Sequence, residues 1–90
     1  MLVAGARSQR QSTPDCVRFW PEARLEGNRY DHIVHVSNAC QARAVCAVST
    51  DVSPTPIRVE VVPAESSEVV TLRGATSADF APRVECGLIL

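Results

Sequence analysis

The stretch His32-Ile33-Val34-His35-Val36-Ser37-Asn38, followed after a short gap by Ala44-Val45-Cys46-Ala47-Val48-Ser49-Thr50-Asp51-Val52, decides the fold. Apolar residues recur at every second position and β-branched side chains dominate, which is the pattern of a half-buried strand and not of a helix. Val34 and Val36 share one face of the first segment, with Ile33, His35 and Ser37 on the other. In the second segment Cys46, Val48, Thr50 and Val52 fall together. Setting Cys40 opposite Cys46 in a hairpin places Asn38 against Val48, Val36 against Thr50 and Val34 against Val52. Both apolar faces then lie on the same side, as strand register requires. The expected unit is a hairpin closed by a Cys40–Cys46 disulfide around a loop at 41–45.

The same period extends in both directions. Val17 and Phe19 alternate with Arg18 and Trp20 in a first strand. Pro21 ends that strand or confines it to a sheet edge, because proline has no N–H for a second neighbour. Glu26-Gly27-Asn28 is a turn signal. After Ser53-Pro54-Thr55-Pro56, residues Ile57, Val59 and Val61 alternate with Arg58, Glu60 and Val62. A turn at 63–67 leads to a strand from Glu68 to Arg73, with Val70 and Leu72 expected inward and Val69 and Thr71 outward. The segment from Gly74 to Pro82 reads as a loop whose Phe80 plugs one end of the core. Arg83 to Leu90 is the last strand, with Val84, Cys86, Leu88 and Leu90 on one face. About six to seven short strands joined by Pro- and Gly-containing turns predict an all-β, antiparallel β-sandwich, one domain over 15–90. Residues 1–14 have no periodicity and read as a flexible tail, or through Ala4-Gly5-Ala6 as the remnant of an export signal.

The run from Pro56 through Ile57-Arg58-Val59-Glu60-Val61-Val62-Pro63 to Val70 resembles the middle of immunoglobulin-like domains in secreted bacterial proteins, where two apolar-alternating strands flank a Pro- and Ser-containing turn. The resemblance implies an immunoglobulin-like fold and leaves function open. It does not extend to the family's Cys–Trp–Cys core, since Trp20 precedes Cys40 and Cys46.

Composition sets the scale of the core. The chain has 90 residues, 46% of them apolar, but eleven of these are alanines and the larger ones are chiefly thirteen valines. A chain of this length buries roughly 60–65% of its unfolded surface, so a thin valine core needs reinforcement. The cysteines at 16, 40, 46 and 86 lack the close pairs of a structural zinc site and are expected to form disulfides. Four cysteines allow three pairings; with Cys40–Cys46 assigned by register, Cys16–Cys86 completes the set. In the chain-entropy model these loops contribute about 2.4 and about 4.4 kcal/mol. Disulfides persist in oxidising compartments, which predicts a secreted or periplasmic protein. Nine arginines, no lysine and ten acids leave a net charge of −1, which argues against a nucleic-acid binder. No run of 18 apolar residues is present to span a membrane.

No catalytic residue, metal or cofactor is expected. His32 and His35 stand three apart on a strand and point to opposite faces, so they do not share a metal. The glycines at 5, 27, 74 and 87 form neither a nucleophile elbow nor a phosphate loop. Arg18, Trp20, Arg24, Arg29 and Tyr30 form a candidate binding patch, because Trp, Tyr and Arg are the types enriched at interface hot spots. The expected function is an exported structural or protein-binding module without catalytic activity. Its partner is another protein or a cell-surface component, met through this patch or through an edge strand, which also offers a route to a homo-oligomer. The alternatives are a small secreted inhibitor, or less readily a hydrolase, presenting the Cys40–Cys46 loop, and a cytosolic β domain with free thiols.

Overall fold

The computed structural model describes residues 13–89. The expectations for a tail and for the Ala4-Gly5-Ala6 motif lie outside the described residues. Thr13 and Pro14 are tied to the domain: the Thr13 hydroxyl donates to the Val84 carbonyl at 2.7 Å, and the Val17 N–H donates to the Pro14 carbonyl at 3.0 Å.

Six strands follow one another: β1 Val17–Glu26, β2 Arg29–Asn38, β3 Arg43–Thr50, β4 Ile57–Val61, β5 Ser66–Ala75 and β6 Pro82–Ile89. They form two antiparallel three-stranded sheets, ordered β1-β2-β5 and β4-β3-β6. Inward-facing Val17, Val34, Val36 and Val69 of the first sheet meet Ala44, Cys46, Val48, Val61, Val84 and Cys86 of the second in a single core. The period-two reading is realised in this burial at Val34 and Val36 of β2, Cys46 and Val48 of β3 and Val84 and Cys86 of β6, while Leu90 lies outside the described residues. Among the described residues no helix is long and apolar enough to cross a membrane.

The hairpin between β2 and β3 does not form. The two strands are the centres of opposite sheets, and the chain crosses from one to the other through residues 39–42. The apolar faces of β2 and β3 therefore look at each other across the core instead of lying side by side. Alternation marks which face of a strand is buried but not whether its partner is beside it or opposite it. The disulfide pairing changes with the topology. Cys40–Cys46 and Cys16–Cys86 are replaced by Cys16–Cys40 and Cys46–Cys86, with Cα–Cα distances of 5.1 and 4.0 Å. Cys16 and Cys40 flank the last rung of the β1–β2 ladder, Val17 opposite Asn38, and the Ala39 N–H donates to the Cys16 carbonyl at 2.9 Å. Cys46 and Cys86 are direct cross-strand partners of β3 and β6, with both side chains buried in the core.

Three further details depart from the alternation pattern. Pro21 lies inside β1, which continues to Glu26; proline is tolerated because β1 has β2 on one side only. In β5, Val69 opposes Val34 and is buried, while Val70 opposes Ile33 and Leu72 opposes His32. Thr71 is thus an extra residue between two rungs, and this bulge reverses the inward assignment at 69 and 70. The strand β3 ends at Thr50, which leaves Val52 half exposed.

The corners are specified locally. Gly27, with φ of 68°, supplies the left-handed residue of the two-residue turn between β1 and β2. Asn38 is buried at the crossover, where its amide donates to the carbonyls of Ala42 and Val61 at 3.0 and 2.8 Å and accepts from the Cys40 N–H at 2.7 Å. It satisfies three backbone groups that a strand changing sheets would otherwise strand away from water. Phe80 packs on the core, as expected of a plug, and stacks on buried His32 with ring centroids 4.2 Å apart. The His32 Nε2–H donates to the Ser77 carbonyl at 2.7 Å.

Candidate binding face

Directly opposed residues of an antiparallel ladder share a face, so the register places side chains in rows across a sheet. On the outer face of β1-β2-β5 one row is Trp20, His35 and Glu68, and the next is Glu22, Ile33 and Val70. Arg24 opposes Asp31 in the row beyond. These side chains bond to one another over Ile33. The Trp20 and His35 rings stack with centroids 5.2 Å apart and planes 9° from parallel. His35 Nε2 lies 2.7 Å from Glu22 Oε1. Arg24 donates through Nε and Nη2 to both oxygens of Glu22, at 3.0 and 2.9 Å, and through Nη2 to Glu68 at 3.2 Å. Beneath this roof Ile33 is 1% exposed although it points away from the core cluster.

The electrostatics follow from the two-pronged Arg24 contact. Its hydrogen bonds, then that of His35, hold the Glu22 carboxyl at about 2, well below its ordinary 4.5. Arg24 is pushed upward in turn by Glu22 and Glu68. The groups remain open to solvent, so the pairs act by fixing side-chain positions more than by adding stability. Glu22, His35 and Glu68 bring ligand atoms within 4.8 Å of one another, but the Arg24 guanidinium already supplies the cation between the two carboxylates. The result is a connected row of side chains in which Trp20, stacked on His35 on one side, remains 45% exposed.

The candidate patch divides. Trp20 and Arg24 belong to this face, and Arg18, opposite Ser37, shares their strand parity. Arg29 is turned to the far end of the sheet, where it donates to the Gly74 carbonyl at 3.1 Å. Tyr30 opposes Leu25 and has the other parity, away from Trp20. His35, which sequence reasoning left out of the patch, stacks on the Trp20 ring, while Glu22 holds His35 and Arg24 and Glu68 holds Arg24. Glu22 was discernible from its period-two spacing between Trp20 and Arg24; His35 and Glu68 join only through the β1–β2 and β2–β5 registers. A cleft of about 730 Å³ at the crossover end, between the 37–41 and 63–66 segments, carries Glu65 as its one ionisable side chain.

Comparisons with protein-family models, with curated proteins and with solved structures each returned no match.

Proposed function

We propose that this chain is an extracytoplasmic, non-catalytic binding module built on an immunoglobulin-like sandwich, with the Trp20 face as its contact surface. The order β1-β2-β5 corresponds to the A-B-E neighbours of immunoglobulin domains, and the adjacency of β3 and β6 to their C–F pair. All four cysteines are in disulfides, which suits an oxidising compartment and leaves no free thiol for the cytosolic alternative. Residues 41–45 are not enclosed by a disulfide, so the inhibitor alternative loses its constrained loop.

The observation that carries the reading is the half-exposed Trp20 stacked on His35, which Glu22 in turn holds. Rigid, half-exposed aromatics held by a polar ring are efficient anchors, because little side-chain entropy is lost on contact. The partner is a protein or cell-surface component that places an apolar or aromatic group on the indole. The test is capture from extracellular and envelope fractions on immobilised chain, read by quantitative mass spectrometry and carbohydrate analysis. A ligand retained by the wild type and lost about 30-fold or more on Trp20→Ala, the size of a hot-spot effect, supports the proposal. Equal retention by both proteins overturns it.

A further inference from the structure

We infer that the outer face of β4-β3-β6 pairs with the same face of a second copy of this chain. The rungs set its layout. Ala47 opposes Arg58 of β4 on one side and Glu85 of β6 on the other, so one row runs Arg58, Ala47, Glu85 across the sheet. The next row runs Glu60, Val45, Gly87. The middle of the face is low: Ala47 is exposed, and a Cβ placed on Gly87 would meet no atom within 4 Å. A groove of about 450 Å³ lies over this floor, with Arg58 and Glu85 among its walls. Glu60 is held by Arg43 at 3.3 Å, whereas Arg58 and Glu85 have no ion-pair partner among the described residues.

An open positive charge and an open negative charge at opposite ends of one row make that row complementary to itself; Arg43, bonded to Glu60, and Arg83 stand in the flanking rows of the same face. Rotation by half a turn about an axis parallel to β3, lying between two facing sheets, sets Arg58 over Glu85 of the second copy and Glu85 over its Arg58. Ala47 then meets Ala47. An axis across the strands through this row would instead stack Arg58 on Arg58, so the charges of the Arg58–Ala47–Glu85 row select the first arrangement, in which Arg43 faces Arg43 with each already bonded to its own Glu60. It is an isologous contact, closed at two copies. Facing sheets pack about 10 Å apart with strands within roughly 30° of alignment, and the short side chains of Ala47 and Gly87 permit that approach. Three strands at about 4.8 Å by some eight residues at about 3.3 Å give roughly 350–400 Å² per copy. This is about half the 800 Å² per partner of a standard stable interface, so the dimer is weak and reversible. With so little area, the two charge pairs decide it, and added salt weakens it.

The test is sedimentation of the full chain over micromolar to millimolar concentration at low and high salt. The wild type is expected to self-associate reversibly. Arg58→Glu and Glu85→Arg each turn both charge pairs repulsive and are expected to weaken association by about tenfold or more. An equimolar mixture of the two single variants is expected to recover association to about the wild-type level, because each reversed side chain then meets its complement. Recovery also proves that both variants are folded. A wild type that stays monomeric, variants that associate like the wild type (as pairing through a strand edge would give), or a mixture no better than its components would overturn the inference.

Discussion

The two sheets draw valines into one core yet are reinforced in opposite ways. The sheet β4-β3-β6 is cross-linked on its inside, by Cys46–Cys86 between neighbouring strands, and its outside carries Ala47 and Gly87, the Arg43–Glu60 pair, and Arg58 and Glu85 without an ion-pair partner among the described residues. The sheet β1-β2-β5 has no bridge between its strands' core faces; its disulfide, Cys16–Cys40, sits at the margin. Its outside is roofed instead, by Trp20, His35, Glu22, Arg24 and Glu68 over Ile33. A thin core can be strengthened from either side, and the choice decides what is presented. The roofed sheet presents the half-exposed Trp20 beside its polar network, and the cross-linked sheet leaves Ala47 exposed between Arg58 and Glu85.

The largest expected effect tests the inner reinforcement. Replacing Cys46 and Cys86 together by alanine opens a loop of about 41 residues and should cost about 4 kcal/mol in urea unfolding on the chain-entropy model. Cys46→Ala and Cys86→Ala singly should cost the same as each other, since both open one ring. Unequal losses would separate these residues into different bridges. A smaller effect compares the two outer faces at their central strands. Ile33→Ala should cost about 3 kcal/mol, because the roof makes its site an interior one. Val45→Ala, at the centre of the open face, should cost about 1 kcal/mol or less. Similar losses at both sites would erase the distinction between a roofed and a bare sheet.

The smallest effect is electrostatic. By NMR the Glu22 carboxyl should titrate near 2, and Arg24→Gln should return it toward 4.5. Its folded value lies below the unfolded one, so its contribution is complete above about pH 4.5 and is lost as pH falls toward 2. Trp20 is the only tryptophan, so its fluorescence should report loosening of the roof over the same interval. A Glu22 carboxyl that titrates in the ordinary range with Arg24 intact would mean that the two-pronged contact does not persist in solution.

The strands themselves were legible because burial on one face forces a period of two, and Val34, Val36, Cys46 and Val48 state it plainly. Their arrangement was not. A strand carries no mark of whether its buried face packs beside or across from the next strand's, and the Cys40–Cys46 register satisfied alternation while joining the wrong pair. The bulge at Thr71 likewise has no residue signature, since threonine is an ordinary strand residue. For the patch, Trp20 and Arg24 could be placed together from spacing along one strand. Arg29 and Tyr30, their near neighbours in sequence, belong elsewhere because they lie past the Gly27 turn, where chain proximity no longer implies a shared face. His35 and Glu68 enter through non-local register alone.

The two outer faces exist as described only if β2 and β3 belong to opposite sheets, and a disulfide map tests this directly. Cleavage after Arg10, Arg18, Arg29, Arg43, Arg58 and Arg83 puts each cysteine in its own tryptic peptide: 11–18, 30–43, 44–58 and 84–90. Digestion without reductant, followed by mass spectrometry, should join 11–18 to 30–43 and 44–58 to 84–90. A peptide joining 30–43 to 44–58 would set β2 beside β3 in one sheet and contradict both faces at once.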